Sequence, residues 1–100
     1  MAKPIQLTPN AEADLTAISE YILTSFGRLA LNHFYELYES KLALIASYPT
    51  RYPIIQKKNK IRKSVITKQS VILYIDTPEE IRVISVFDTR QNPENIGKQL

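Results

Sequence analysis

The side chains of this sequence that could do chemistry are mainly cations in its second half. Six of them fall within twelve residues, with no acid among them: Lys57, Lys58, Lys60, Arg62, Lys63 and Lys68. A concentrated positive field attracts acidic proteins and nucleic acids alike, so this run can form a docking surface for either. The alternative is a solvated hairpin edge whose lysines prevent edge-to-edge aggregation.

A further cation, Arg90, stands just beyond an apolar run, where the backbone of a strand would fix its guanidinium group. The planar fork of arginine suits bidentate recognition of phosphate or carboxylate. A structural ion pair with Asp88 or Asp76 is the alternative, because such pairs are routine features of folded proteins. Arg62 and Arg82 carry the same two interpretations.

Other side chains give weaker signals. Tyr74 alternates with core positions; its hydroxyl could reach a polar cleft, but we favour a buried tyrosine with one hydrogen-bond partner. His33 has no neighbouring carboxylate or serine in a catalytic arrangement, so we interpret it as a partly exposed helical histidine. The chain has no cysteine, one histidine and two glycines, so we expect no metal, no cofactor and no phosphate-binding loop.

Length and composition bound the architecture. With 100 residues and 44% hydrophobic side chains, we expect one domain over residues 1–100. Residues 1–50 carry three basic and five acidic side chains, whereas residues 51–100 carry ten basic and five acidic ones. The sequence shows no signal-peptide pattern and no apolar run long enough to span a bilayer, so we expect a cytoplasmic protein that does not contact membranes.

The first half predicts a short strand and a helical hairpin. After an extended segment at residues 5–7, a Thr-Pro pair starts a helix over residues 9–25, and Gly27 provides a left-handed C-cap. One face of this helix carries an apolar stripe: Ala11, Leu15, Ile18, Ile22 and Phe26. A second helix begins just past Gly27 and ends before Tyr48-Pro49, because proline disfavours helix at the preceding residue.

The second half predicts strands. β-branched runs at residues 61–67, 71–75 and 81–87 are joined by links short enough to close hairpins, and Pro78 lies in the second link. These runs predict a three-stranded antiparallel meander with the helices packed on one face. The fold class is therefore α+β: a short N-terminal strand, an α-helical hairpin and a β-meander. A polar loop over residues 88–93 follows the last strand.

This order of elements resembles the ParE/RelE superfamily of toxins from type II toxin-antitoxin systems. Residues 7–15 look like the family's "s-x-x-A-x-x-D-L" helix start, and Phe26-Gly27 looks like its helix break. Further segments are similar to the family's "L-x-x-x-P", "i-R-r", "i-l-Y" and "i-l-x-V-x-x-x-R-x-x-P": residues 45–49, 61–63, 72–74 and 84–93. The resemblance thus covers nearly the whole chain in order.

The resemblance also separates two branches. RNA-cleaving members of the RelE branch carry convergent basic side chains, often with a tyrosine or histidine in the C-terminal segment. Here the segment after Arg90 has neither, the central strand lacks an arginine, and Asp88 lies where a histidine is common in the ParE branch. We favour the ParE branch, whose known members generally inhibit DNA gyrase, and we favour function over a structural pair for Arg90.

The resemblance therefore implies a growth-inhibiting toxin, of the kind used in plasmid stabilisation, that a cognate antitoxin neutralises in a hetero-oligomer. The residues predicted to bind the target are Lys60, Arg62, Lys63, Tyr74 and Arg90. One alternative is a metal-independent, ribosome-associated mRNA endonuclease of RelE type, in which phosphate would be neutralised by Arg62, Lys63, Arg82 and Arg90. Another is a non-toxic homologue that only binds an antitoxin. We favour a non-catalytic inhibitor.

Overall fold

A computed structural model describes residues 2–90, in which two helices pack on one face of a five-stranded sheet. The elements in chain order are β1 (Ile5–Leu7), α1 (Pro9–Phe26), α2 (Arg28–Ser47), β2 (Ile54–Gln56), β3 (Ile61–Val65), β4 (Ser70–Asp76) and β5 (Ile81–Asp88). The predicted α+β class and order of elements are confirmed. The loop predicted for residues 88–93 extends past the described residues.

The helical hairpin turns at a single residue. Thr8 caps α1 because its Oγ1 accepts a hydrogen bond from the backbone N–H of Ala11 at 3.1 Å. At the other end, the N–H of Gly27 donates to the carbonyls of Ile22 and Leu23. We predicted a left-handed conformation for Gly27; its φ is positive, at 92°, but its ψ of 177° is extended. This combination lets α2 begin at the next residue, Arg28.

The predicted meander forms the centre of a larger, mixed sheet with the strand order β1-β5-β4-β3-β2. β3, β4 and β5 pair antiparallel as expected, but β1 pairs in parallel with β5, and β2 adds an antiparallel strand to β3. The sequence analysis missed both pairings. A three-stranded meander leaves unpaired N–H and C=O groups on its outer strands, and these two short segments satisfy part of that requirement.

The helix-covered face of the sheet holds the main core. Side chains from α1 and α2 meet those of the sheet there, with Ile18, Phe34, Ile72 and Val83 among the buried residues. A second apolar cluster is centred on Ile61, Leu73 and Phe87. Neighbouring residues of a strand point to opposite faces, so the second cluster belongs to the face opposite the helices.

An irregularity in β5 fixes the position of α1. Leu73 pairs with Ser85 and Tyr74 pairs with Val83, which leaves one extra residue, Ile84, in β5. Asp14 of α1 reaches this bulge: its Oδ2 accepts hydrogen bonds from the Ser85 hydroxyl at 2.7 Å and from the Val86 N–H at 3.2 Å. The side chain of Asn10 donates to the Ile84 carbonyl at 3.1 Å. A bulge interrupts the ladder, and α1 supplies the missing partners.

Two buried tyrosines make the stability of the fold sensitive to pH in the alkaline range. Burial is the main cause that raises the pKa of Tyr38 and of Tyr74 from 10.0 to about 12. Between these values the unfolded chain loses the phenolic protons while the folded chain keeps them, so stability is present below pH 10 and is lost as the pH rises toward 12. We expect a loss of about 1.4 kcal/mol per tyrosine at pH ~11.

Urea unfolding at neutral and alkaline pH measures this loss. Tyr74→Phe should remove roughly half of the pH dependence, whereas Tyr48→Phe, at an exposed position, should leave it unchanged. Equal alkaline destabilisation of the wild type and of the Tyr74→Phe variant would contradict the assignment.

Candidate functional site

Arg90 is held rigidly where β5 ends. Its Nε donates to Oδ1 of Asp88 at 3.0 Å and its Nη2 donates to Oδ2 at 2.7 Å, while the Arg90 N–H also donates to Oδ1. The side chain of Asp88 is fully buried, so it forms a fixed base for the guanidinium. The hydrogen bond to Asp88 is the main cause that raises the pKa of Arg90. The guanidinium also lies over the Phe26 ring, 5.1 Å from its centroid.

This ion pair leaves part of the guanidinium available. An arginine side chain has five N–H donors, and the contact with Asp88 uses one on Nε and one on Nη2. No hydrogen bond joins Nη1 to another side chain or carbonyl among residues 2–90. The structural pair that we weighed as an alternative is therefore present, and three donors form no hydrogen bond with the described part of the chain. Such donors suit a carboxylate or phosphate.

A pocket of about 240 Å³ lies beside Arg90, where the turn between α1 and α2 meets the turn between β3 and β4. We call it the hairpin pocket. It is lined by Ile22, Phe26, Ala30, His33, Phe34, Leu37, Thr67, Gln69 and Arg90. The sequence analysis placed Phe26 on the apolar stripe of α1, yet its side chain is 53% exposed. The residue is the last of α1 and lies beyond the part of the helix that the sheet covers.

The fold divides the lysine-rich run between the two ends of β3. Lys57, Lys58 and Lys60 belong to the turn before this strand, whereas Lys68 belongs to the turn after it. The run therefore does not form one continuous surface. Lys68 lies between two residues that line the hairpin pocket, so it adds positive charge at the Arg90 end of the molecule.

Arg62 and Tyr74 lie on the helix-covered face of the sheet. They are register partners on neighbouring strands, and both are committed to the loop between α2 and β2. Nη1 of Arg62 donates to the carbonyls of Tyr52 at 2.6 Å and Thr50 at 3.2 Å. Tyr74 is 0% exposed, and its hydroxyl donates to the Pro49 carbonyl at 2.7 Å. We proposed both residues as target contacts; in this conformation they support the loop.

The four cations considered for RNA cleavage do not converge. Lys63 follows Arg62 in β3 and therefore points to the opposite face of the sheet. Arg82 is exposed and pairs with Glu80 at 3.3 Å, and β4 separates it from Lys63. Arg90 lies beyond the other end of β5, beside the helices. The structure thus places these four side chains in four different parts of the molecule.

The remaining candidates for chemistry are sparse. His33 is an exposed residue of α2, as expected. It also lines the hairpin pocket, which no local sequence pattern indicated. Within the described part of the chain, no three residues of the types His, Cys, Asp and Glu gather where they could hold a metal ion. Neither of the two described helices is long and apolar enough to cross a membrane.

Comparison with known proteins identifies the family. The profile of the ParE toxin of the type II toxin-antitoxin system parDE matches residues 5–93. The fold is similar to a chromosomal ParDE TA system from P. aeruginosa, with a TM-score of 0.73 and 12% identity over 87% of this chain and 96% of that chain. It is also similar to the conserved hypothetical protein HP0894 from Helicobacter pylori, with a TM-score of 0.56 and 18% identity over 90% and 97% of the two chains. No curated protein matches the chain in sequence. The match over residues 5–93 and the shared fold show that the chain belongs to the ParE toxin family of type II toxin-antitoxin systems.

Proposed function

We propose that this protein is a cytoplasmic toxin that a cognate antitoxin neutralises by direct binding in a hetero-oligomer, and that the freed toxin inhibits DNA gyrase. Membership in the ParE toxin family is the observation that carries the proposal. The contacts with the target are made by cations outside the helix-packed core, principally the exposed Arg90, with Lys60 and the half-buried Lys63 adding positive charge.

The arrangement of the cations favours inhibition by binding over catalysis. Cleavage of RNA without a metal needs an acid, a base and phosphate-neutralising groups around one scissile bond. Arg62 and Arg82 are engaged by protein acceptors, and Lys63 lies on another face of the sheet from Arg62. A binding inhibitor has no such requirement, because its contacts can be spread over a surface.

Arg90 is the residue best suited to dominate recognition. Asp88 and the Phe26 ring hold its guanidinium in one orientation, so little side-chain entropy is lost when a partner binds. Arginine is among the residues that contribute most at protein interfaces. The charge of Asp88 offsets that of Arg90. Binding of a partner to Arg90 would therefore depend on the geometry of the three remaining donors more than on net charge.

Three measurements test the proposal. Growth is followed on inducible expression of the wild-type chain, and primer extension on mRNA from the same cells detects cleavage. Purified protein is added to a gyrase supercoiling assay. We expect growth arrest, lost supercoiling and intact mRNA. Arg90→Ala should weaken supercoiling inhibition at least about tenfold. Arg82→Ala is the matched control, because it also removes an exposed, ion-paired arginine, and should change inhibition less than about twofold. Thermal melting verifies that both variants fold.

Two outcomes would overturn gyrase inhibition. Ribosome-dependent cuts in mRNA with normal supercoiling would identify the chain as an endonuclease of RelE type. Normal growth with both assays negative would identify a homologue that only binds an antitoxin. Co-expression of the small protein encoded beside the toxin gene tests neutralisation separately, and we expect it to restore growth.

A further inference from the structure

The turn between β2 and β3 concentrates positive charge at one end of the sheet. Its four residues are Lys57, Lys58, Asn59 and Lys60, all of them exposed, and we call them the lysine turn. Residues 40–75 contain eight basic side chains and no acidic one. Within the described part of the chain, no salt bridge joins a lysine of this turn to an acidic side chain. The fold therefore leaves this charge uncompensated.

Protection of the sheet edge explains little of this charge. β2 is the outermost strand on its side of the sheet, and charged side chains on such a strand prevent pairing with other chains. The strand itself reads Ile-Ile-Gln over residues 54–56 and carries no charge. The lysines lie beyond its end, at the tip of the β2–β3 hairpin. The edge that needs protection and the charge are thus in different places.

Lys60 has a backbone conformation that does not favour lysine. Its φ is 54°, in the left-handed region, and among the described residues it is the only one besides glycine with a positive φ. Asparagine and glycine adopt this region at lower cost. The Lys60 N–H donates to the Lys57 carbonyl at 3.3 Å and closes the turn. A lysine at this position adds charge to the tip of the hairpin at a cost to the fold.

The composition of the lysine turn fits a phosphate backbone better than a protein surface. Lysine is depleted at protein interfaces, whose centres are rich in aromatic side chains, and the turn has no aromatic or apolar residue. Lysine binds phosphate as a point charge on a flexible stem. Such contacts supply essentially all of the affinity of proteins for DNA of arbitrary sequence. The turn therefore suits nucleic acid.

The shape of the hairpin favours duplex DNA. Proteins that hold single strands combine a basic groove with aromatic side chains on which bases stack. The exposed Tyr48, in the loop before β2, already has the guanidinium of Arg51 over its ring, 4.2 Å from the centroid. A two-stranded β-ribbon fits the major groove of B-DNA, which is about 12 Å wide. The major groove of duplex RNA is too deep and narrow for this.

We propose that the lysine turn binds the backbone of duplex DNA without sequence preference. Its three lysines each neutralise a phosphate, and the exposed Arg51 adds charge on the other side of β2. This inference goes beyond the proposed function and does not rest on gyrase as the target. The lysine turn and Lys68 lie at opposite ends of β3, whose five residues span about 17 Å. DNA and a protein target at the Arg90 end can therefore be bound together.

Fluorescence anisotropy of a short labelled DNA duplex, titrated with the full-length chain, measures the binding. Three phosphate contacts predict that the association constant falls with roughly the 2.7th power of the salt concentration. Between about 50 and 200 mM salt this is a loss of roughly 40-fold. A single strand of the same length and a polyglutamate peptide serve as competitors. Both should compete at least about fivefold less well than unlabelled duplex.

Charge reversal at the two ends of β3 locates the binding. Lys58→Glu should weaken binding at least about fivefold at ~0.1 M salt and lower the salt exponent by about one. Lys68→Glu is the matched control, because it reverses an exposed lysine in the turn at the other end of the strand. That turn is farther from the site than the Debye length of about 10 Å, so affinity should change less than about twofold. Circular dichroism verifies that both variants fold.

Lys60→Asn separates binding from folding. Asparagine tolerates the left-handed conformation better than lysine, so the melting temperature should equal or exceed that of the wild type. Affinity for the duplex should nevertheless fall at least about threefold, because one phosphate contact is lost. A lysine with a purely structural role would give the opposite pattern, a lower melting temperature with unchanged affinity.

Three results would overturn the proposal: no anisotropy change at low salt, equal weakening by Lys58→Glu and Lys68→Glu, or equal competition by the single strand or the polyglutamate peptide. The supercoiling assay on the same preparations separates this failure from that of the proposed function. DNA binding by a chain that does not inhibit gyrase refutes the gyrase target alone. Gyrase inhibition by a chain that does not bind the duplex refutes the role of the lysine turn alone.

Discussion

Replacement of Asp14 with alanine is expected to lower the free energy of unfolding by about 3 kcal/mol. The carboxylate accepts hydrogen bonds from the Ser85 hydroxyl and the Val86 N–H. Ser85 is 1% exposed, so water cannot replace the lost acceptor. Each unsatisfied buried polar group costs about 1–3 kcal/mol, and the variant leaves two. Urea unfolding followed by circular dichroism measures the loss.

Two further variants define what Asp14 contributes. Glu20→Ala removes an exposed acidic residue from the same helix and should change stability by less than about 0.5 kcal/mol. Asp14→Asn keeps one acceptor oxygen and should fall between alanine and the wild type. If Asp14→Ala and Glu20→Ala had equal effects, the bulge in β5 would not depend on α1 for its hydrogen bonds.

Gly27→Ala is expected to destabilise the protein by about 2 kcal/mol. The φ of 92° and ψ of 177° at this position lie in a region that residues with a Cβ atom rarely adopt. Space is not the obstacle, because no heavy atom outside the immediate neighbours lies within 4 Å of where the Cβ would be. The cost comes from backbone strain at the point where the chain passes from α1 into α2. Thermal unfolding monitors the change.

The same substitution should also change the shape of the hairpin pocket. Phe26 and Ala30 line it from the two sides of Gly27, so relief of strain by a small reorientation of the helices would separate them. Ser25→Ala, on the preceding turn of α1, serves as the control and should preserve stability; equal thermal unfolding of Gly27→Ala and the wild type would show that the turn tolerates the strain.

The helices and the central meander could be predicted because their signals are local. The Thr8-Pro9 pair and Gly27 set the ends of α1 through capping and backbone geometry. β3, β4 and β5 are rich in β-branched residues and are joined by short links, which makes antiparallel pairing nearly obligatory. β1 and β2 have only three residues each, and they pair with the outer strands of the meander. A local sequence pattern does not show which segments will reach those edges.

The site was only partly predictable for a related reason. Arg90 could be singled out because it follows an apolar run, but its neighbour Phe26 comes from a distant helix. Sequence spacing placed Arg62 and Lys63 together, although alternation along a strand sends them to opposite faces. Asp14 belongs to the motif that resembles the family's helix start, yet the donors that it binds, Ser85 and Val86, are positioned by a bulge in β5 that no local pattern indicates.

The pairing of β1 with β5 affects how the chain folds during its synthesis. Ile5 aligns with Ile81, and Lys3 pairs with Asp76 at 2.6 Å, so the first strand can be secured only after the last has been synthesised. Contacts so distant in sequence slow folding, since a long loop must close before they form. At about 5–20 residues per second, a ribosome needs roughly 5–20 s to complete such a chain. For most of that interval β5 is still unmade, so β1 waits without its partner strand.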